Sequence, residues 1–170
     1  MRIFPVLLVS ALLTWVGPVQ SADWESFFNE TWHDYTEELE TARNEGKQGL
    51  FFFFEMDECP FCAWMKENVL HHSEAKAFYH EHFLNFMVDV EGAIEVVDLE
   101  GNATTESEMA RALRVRATPV MLFVDLEGQI VHRHTGRTSG VEEFLQMGQY
   151  VVGGHYREMT FPVYRRSLRD

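Results

Sequence analysis

The chain has 170 residues, of which 46% are hydrophobic and 24% charged, with two cysteines and a formal net charge of -13. This apolar content excludes wholesale disorder, and two cysteines exclude a disulfide-dense scaffold. The acidic balance argues against a nucleic-acid binder, which needs basic charge to meet phosphates, and against anionic membrane surfaces.

The first 22 residues have the order of a secretory signal. Arg2 is their only charge, Ile3 to Val16 is a mostly apolar run, Gly17-Pro18 breaks it, and Val19-Gln20-Ser21-Ala22 offers small residues for cleavage. The run is too short for a membrane span, which needs about 20 apolar residues. We therefore expect a signal peptide over 1–22, a domain over 23–154 and a basic tail over 155–170. The tail carries Arg157, Arg165, Arg166 and Arg169 against Glu158 and Asp170, and it is expected to pack on its own acidic domain.

In chain order, Trp24, Phe27, Phe28, Trp32, Tyr35 and Leu39 recur at helical spacing and predict one helix from Trp24 to Glu45, ended by Gly46. Leu50-Phe51-Phe52-Phe53-Phe54 predicts a strand buried on both faces. Cys59 to Leu70 reads as a loop running into a helix. Ser73 is placed to cap a further helix through His82, followed by a strand from Phe83 to Val90. Residues 91–104 form a polar excursion with the pattern of a small hairpin, and Thr105 precedes a helical segment, Glu106 to Leu113. Val120 to Val124 and Gln129 to His134 flank an Asp125-Leu126-Glu127-Gly128 turn and predict an antiparallel hairpin. Ser139 is expected to cap a last major helix through Val152, ended by Gly153-Gly154. Alternating strands and helices predict an α/β domain, a mixed central sheet flanked by helices.

Cys59-Pro60-Phe61-Cys62 is the sharpest chemical feature. It follows a buried strand and opens a helix, where unpaired N–H groups favour a thiolate on Cys59. Cys62 lies one helical turn on and can resolve a mixed disulfide. A structural disulfide closing so small a ring would add little stability. A copper or zinc site built from Cys59, Cys62 and His71 or His72 stands as the alternative. The remaining histidines, including His80, His82, His132 and His134, read mostly as exposed helix-end or strand residues. Trp64 and Met65 read as core. Asp57 and Glu58 oppose thiolate formation on Cys59.

This pair after an aromatic strand, with Ala117-Thr118-Pro119 opening a later strand, resembles the thioredoxin superfamily. The stretch from Phe52 through Cys62, the 91–104 excursion and Val115 to Pro119 resemble, more narrowly, the SoxW-type periplasmic thioredoxins. The resemblance spans Trp24 to Val152 and implies a monomeric thioredoxin fold. It makes Cys59 the nucleophile, Cys62 the resolving cysteine and Pro119 a cis-proline. Pro60, Phe61, Thr118 and Pro119 become contacts for an extended substrate peptide. The family's buried aspartate falls on Phe53 here, so Glu55 is the nearest substitute as proton acceptor for Cys62. The implied function is dithiol–disulfide exchange with exported, disulfide-bearing proteins in the periplasm. A membrane thiol electron-transfer partner of the DsbD or CcdA kind would supply reductant, with no organic cofactor and no metal.

Overall fold

The phenylalanine run becomes β1 (Gly49–Glu55) because a pleated strand sends alternate side chains to opposite faces. Phe51 and Phe53 enter one core, while Leu50, Phe52 and Phe54 enter another. The computed structural model describes residues 23–169, so the signal-peptide expectation for 1–22 lies outside the described residues.

After β1 come α2 (Pro60–Met65), which widens into a π-helical turn over Lys66–Leu70, then α3 (Ser73–His82) and β2 (Phe83–Asp89). A small hairpin follows, β3 (Glu95–Val97) and β4 (Ala103–Thr105), and leads into α4 (Glu106–Ala112). The chain ends with β5 (Val120–Asp125), β6 (Ile130–Thr135), α5 (Val141–Val152) and α6 (Phe161–Ser167). The main sheet runs β2-β1-β5-β6, with β1 parallel to β2 and antiparallel to β5, and β5 antiparallel to β6. The hairpin of β3 and β4 is separate.

One helix from Trp24 to Glu45 is not what forms. A 3₁₀ turn at Glu25–Phe27 is followed by extended chain, and α1 (Tyr35–Asn44) starts afresh. The reason is topological. Phe27 packs into the core with Phe51, whereas Tyr35 packs into the core with Phe52, on the other face of the sheet. The chain must cross the sheet edge between them, and a continuous helix cannot bury both ends. The crossing segment runs along β2, where the Asn29 N–H donates to the Asn85 carbonyl and the Asn85 N–H to the Asn29 side chain, each at 2.8 Å. This covers the otherwise open edge strand. Trp32, counted at sequence level among the helix's apolar positions, is 94% exposed.

Two expected caps also differ. Asp34 caps α1 by accepting from the Thr36 and Glu37 N–H groups. Ser73 is the first residue of α3, and its side chain does not cap; His72 precedes the helix. At α5, Gly140 holds the cap position, and Ser139 donates both its N–H and its hydroxyl to the Glu143 carboxylate. Thr105 caps α4 by accepting from the Glu108 N–H. Gly46 ends α1 at φ +72°, a conformation that suits glycine. At Gly49 a Cβ would lie 1.9 Å from the Val124 carbonyl oxygen, so only glycine permits β1 to start against β5.

The C-terminal segment packs on α5 and β6. The Tyr150 hydroxyl donates to the Met159 carbonyl at 2.6 Å, and Arg165 pairs with Glu143 at 2.5 Å. Phe161 lies against Tyr150, His132 and His134. His132 and His134 are thus half-buried beneath α6, contrary to the expectation that they face solvent. No helix among the described residues is long and apolar enough to cross a membrane.

Candidate active site

The sheet register gathers three segments at one end. Because β5 is antiparallel to β1, Phe54 pairs with Val120, and the end of β1 meets the start of β5. Because β6 is antiparallel to β5, Val120 pairs with Thr135, which brings the turn after β6 to the same end. The loop at 56–59, the Thr118-Pro119 step and the Gly136-Arg137-Thr138 turn therefore converge. The Gly136 N–H donates to the Pro119 carbonyl at 2.8 Å, tying two of them together. The Thr118–Pro119 peptide is cis.

Cys59 and Cys62 form a disulfide. Cys59 takes the cap position of α2 in extended backbone, and its sulfur accepts the Cys62 N–H at 3.1 Å. That contact uses one of the orphan donors of the helix's first turn. Pro60 occupies the first turn, where its missing N–H costs nothing. The two sulfurs differ in access: Cys59 is half-buried, whereas Cys62 is 2% exposed and packed with Met65 and Val69. Glu58, just before the pair, sits at φ +55°, a left-handed backbone that a non-glycine residue adopts at some cost. It turns the chain sharply from β1 into α2.

A cleft of ≈ 390 Å³ lies beside the pair, lined by Glu55, Asp57, Glu58, Cys59, Cys62 and Lys66 among others. The structure therefore brings Glu55 to the cysteines, as its place at the strand end suggests. It also adds Lys66, which sequence reasoning missed. The Lys66 ammonium lies 2.5 Å from the Glu55 carboxylate, with both side chains less than one-fifth exposed, and 4.2 Å from the centre of the Trp24 ring. Seven residues past Cys59, Lys66 had no sequence signal to distinguish it from other helix lysines. Phe53, at the family's aspartate position, is fully buried among aromatic rings.

Pro60 and Phe61 face solvent, Phe61 at 55% exposure. Thr118 is half-buried and Pro119 buried. Thr118 lines a second cleft of ≈ 240 Å³, which meets the first at Met56. Met65 is core, as expected, but Trp64 is only partly so: the Arg137 guanidinium lies 4.3 Å from its ring centre. His71 and His72 lie beyond the π-helical turn with their rings 4.3 Å apart. Among the described residues, no three or more His, Cys, Asp or Glu side chains are grouped so as to hold a metal ion.

The sequence profile of the thioredoxin-like domain family matches residues 35–152. The disulfide bond reductase DsbH of Chlamydia pneumoniae is 30% identical over 105 residues, 62% of this chain and 62% of that protein. The chain thus spans less than two-thirds of the length of this curated relative. A thioredoxin-fold protein from Helicobacter pylori superposes with a TM-score of 0.65 at 18% identity, over 85% of this chain and 92% of that one. A thioredoxin from Thermus thermophilus does so with a TM-score of 0.55 at 28% identity, over 71% and 85%. The architecture is the thioredoxin fold.

Proposed function

The chain belongs to the thioredoxin-like domain family, and on that premise we propose that it is an exported thiol–disulfide oxidoreductase working as a reductase. The observation that carries this reading is the asymmetry of the pair. Cys59 has access to solvent and a helix N–H aimed at its sulfur, and Cys62 is shielded behind it. In the dithiol state the Cys59 thiolate attacks a substrate disulfide, forming a mixed disulfide and releasing one substrate thiolate, which takes up a proton. Cys62 then loses its proton and attacks the Cys59 sulfur. The second substrate thiol leaves, and the Cys59–Cys62 disulfide forms. Two electrons and two protons have passed to the substrate.

Glu55, in the same cleft, serves as proton acceptor for Cys62, and Lys66 holds its carboxylate in place. Thr118 and Pro119 carry the backbone of an extended peptide beside Pro60 and Phe61, a strand-addition contact. The name of the relative DsbH, a disulfide bond reductase, supports the reducing direction. Reloading then requires an external dithiol, and a membrane thiol electron-transfer protein is the partner we assign. The pattern of residues 1–22 supports a periplasmic location, with 23–154 as the catalytic domain and 155–170 as an appended tail. The 91–104 insert and the Val115 to Pro119 stretch support a place near the SoxW-type thioredoxins. We take the protein to be a monomer.

The test is a pair of single substitutions. Cys62→Ser is expected to accumulate mixed disulfides with substrate proteins, visible on non-reducing gels. Cys59→Ser is expected to trap none and to reduce insulin only at the uncatalysed rate. Full insulin reduction by Cys59→Ser would overturn the reading.

A further inference from the structure

The surface around the disulfide is electrically lopsided. On one side the cleft presents Asp57 and Glu58, both exposed, and the Glu55 carboxylate, already paired with Lys66. On another side the turn after β6 presents Arg137. Its guanidinium lies 4.3 Å from the ring centre of Trp64 and 6.0 Å from that of Phe61, one of the two residues between the cysteines. Among the described residues its side chain makes no ion pair and no hydrogen bond. The turn carrying it is anchored. Thr138 is buried, with its N–H 3.4 Å from the Met65 sulfur on α2, and Gly136 is bonded to Pro119.

These features suit a receptor for an anion. The contact with the Trp64 ring restrains the guanidinium, and Arg137 is otherwise exposed, which leaves N–H donors for a ligand. A planar N–H edge matches a carboxylate. Other arginines, such as Arg111 and Arg116, also lack an ion pair among the described residues; what sets Arg137 apart is its place on the Trp64 ring beside the cysteine pair.

We propose that Arg137 is a specificity-determining residue that receives a carboxylate side chain beside the reactive cysteine of a protein or peptide substrate. This rests on the oxidoreductase reading, and the test separates the two. Reduced full-length protein is mixed with short unstructured peptides containing one disulfide and bearing Glu, Gln or Lys next to a cysteine. The rate of peptide reduction is followed. The net charge of the chain disfavours acidic peptides in general, so the readout is the ratio of the Glu-peptide rate to the Gln-peptide rate, compared between variants. A ratio also cancels any loss of folded protein.

Arg137→Gln is expected to lower that ratio about threefold to fivefold at low salt, the size of an exposed ion pair, and the difference shrinks as salt rises. Arg137→Glu is expected to lower it further and to raise the Lys-to-Gln ratio. A ratio unchanged in Arg137→Gln, with the Gln peptide still reduced, overturns the assignment of Arg137 and leaves the oxidoreductase reading standing. If the wild type reduces none of the peptides, the oxidoreductase reading falls and takes this assignment with it.

Discussion

Polar groups leave water in two regions of this molecule, and the two regions treat them differently. At the end of β1, Glu55 is withdrawn from solvent but meets Lys66, whose ammonium also rests on the Trp24 ring. On β6, at the edge of the sheet, His132 and His134 are covered by Phe161 and their Nε2 atoms are buried without a hydrogen-bond partner. Burial, followed by the neighbouring His134, pushes His132 down to about 4. Burial likewise lowers His134. The site thus sets opposite charges side by side. The histidine pair instead stays neutral and behaves as two polar-tipped aromatics in a packed cluster. A partner within reach decides whether a half-buried ionisable group remains an ion.

The largest expected break in this contrast is Phe161→Ala. It strips the cover from both imidazoles and from Tyr150, and is expected to cost about 3 kcal/mol in urea denaturation, the low end for a buried phenylalanine because Phe161 keeps slight exposure. Retained stability would show that α6 is not part of the folded unit.

Acid sharpens the contrast next. In the unfolded chain His132 takes its proton near 6.5, whereas in the fold it stays neutral down to about 4. Between these values the unfolded state binds more protons, so stability falls as pH falls. The contribution is fully present above the unfolded value and is lost as pH drops through the folded one. About 2–3 kcal/mol should be lost across that window. His132→Leu should flatten that part of the stability–pH curve, and an unchanged slope would assign it to other groups.

The smallest effect belongs to the paired region. Lys66→Met keeps the stem against Trp24 but leaves the Glu55 carboxylate alone, for about 1–2 kcal/mol, since both side chains retain some contact with water. A neutral result in thermal or urea unfolding would mean that water replaces the ammonium at no cost.

Local pattern made much of this protein legible. The phenylalanine run, the Asp125 to Gly128 turn, the hairpin in the 91–104 excursion and the cysteine pair opening α2 all have short-range signals. These are a short continuous apolar run, turn residues, and a proline in the first helical turn. The break between Phe27 and Tyr35 was not legible, because helical spacing says which residues are apolar but not which of two cores each will enter. Neither were the Ser73 and Ser139 caps. A serine near a helix start signals a terminus, but which group satisfies the N–H donors depends on neighbours such as Glu143.

By itself the sequence determined the strand and helix order from β1 to α5, the reactive pair and its place at a helix start, since each depends on residues close along the chain. Tertiary structure alone decided the surroundings of that pair. Lys66 on Glu55, Trp24 on Lys66, Arg137 on Trp64 and α6 over the histidines join segments up to dozens of residues apart. Strand register and sheet topology bring these segments together, and no local periodicity encodes which charge will face which ring.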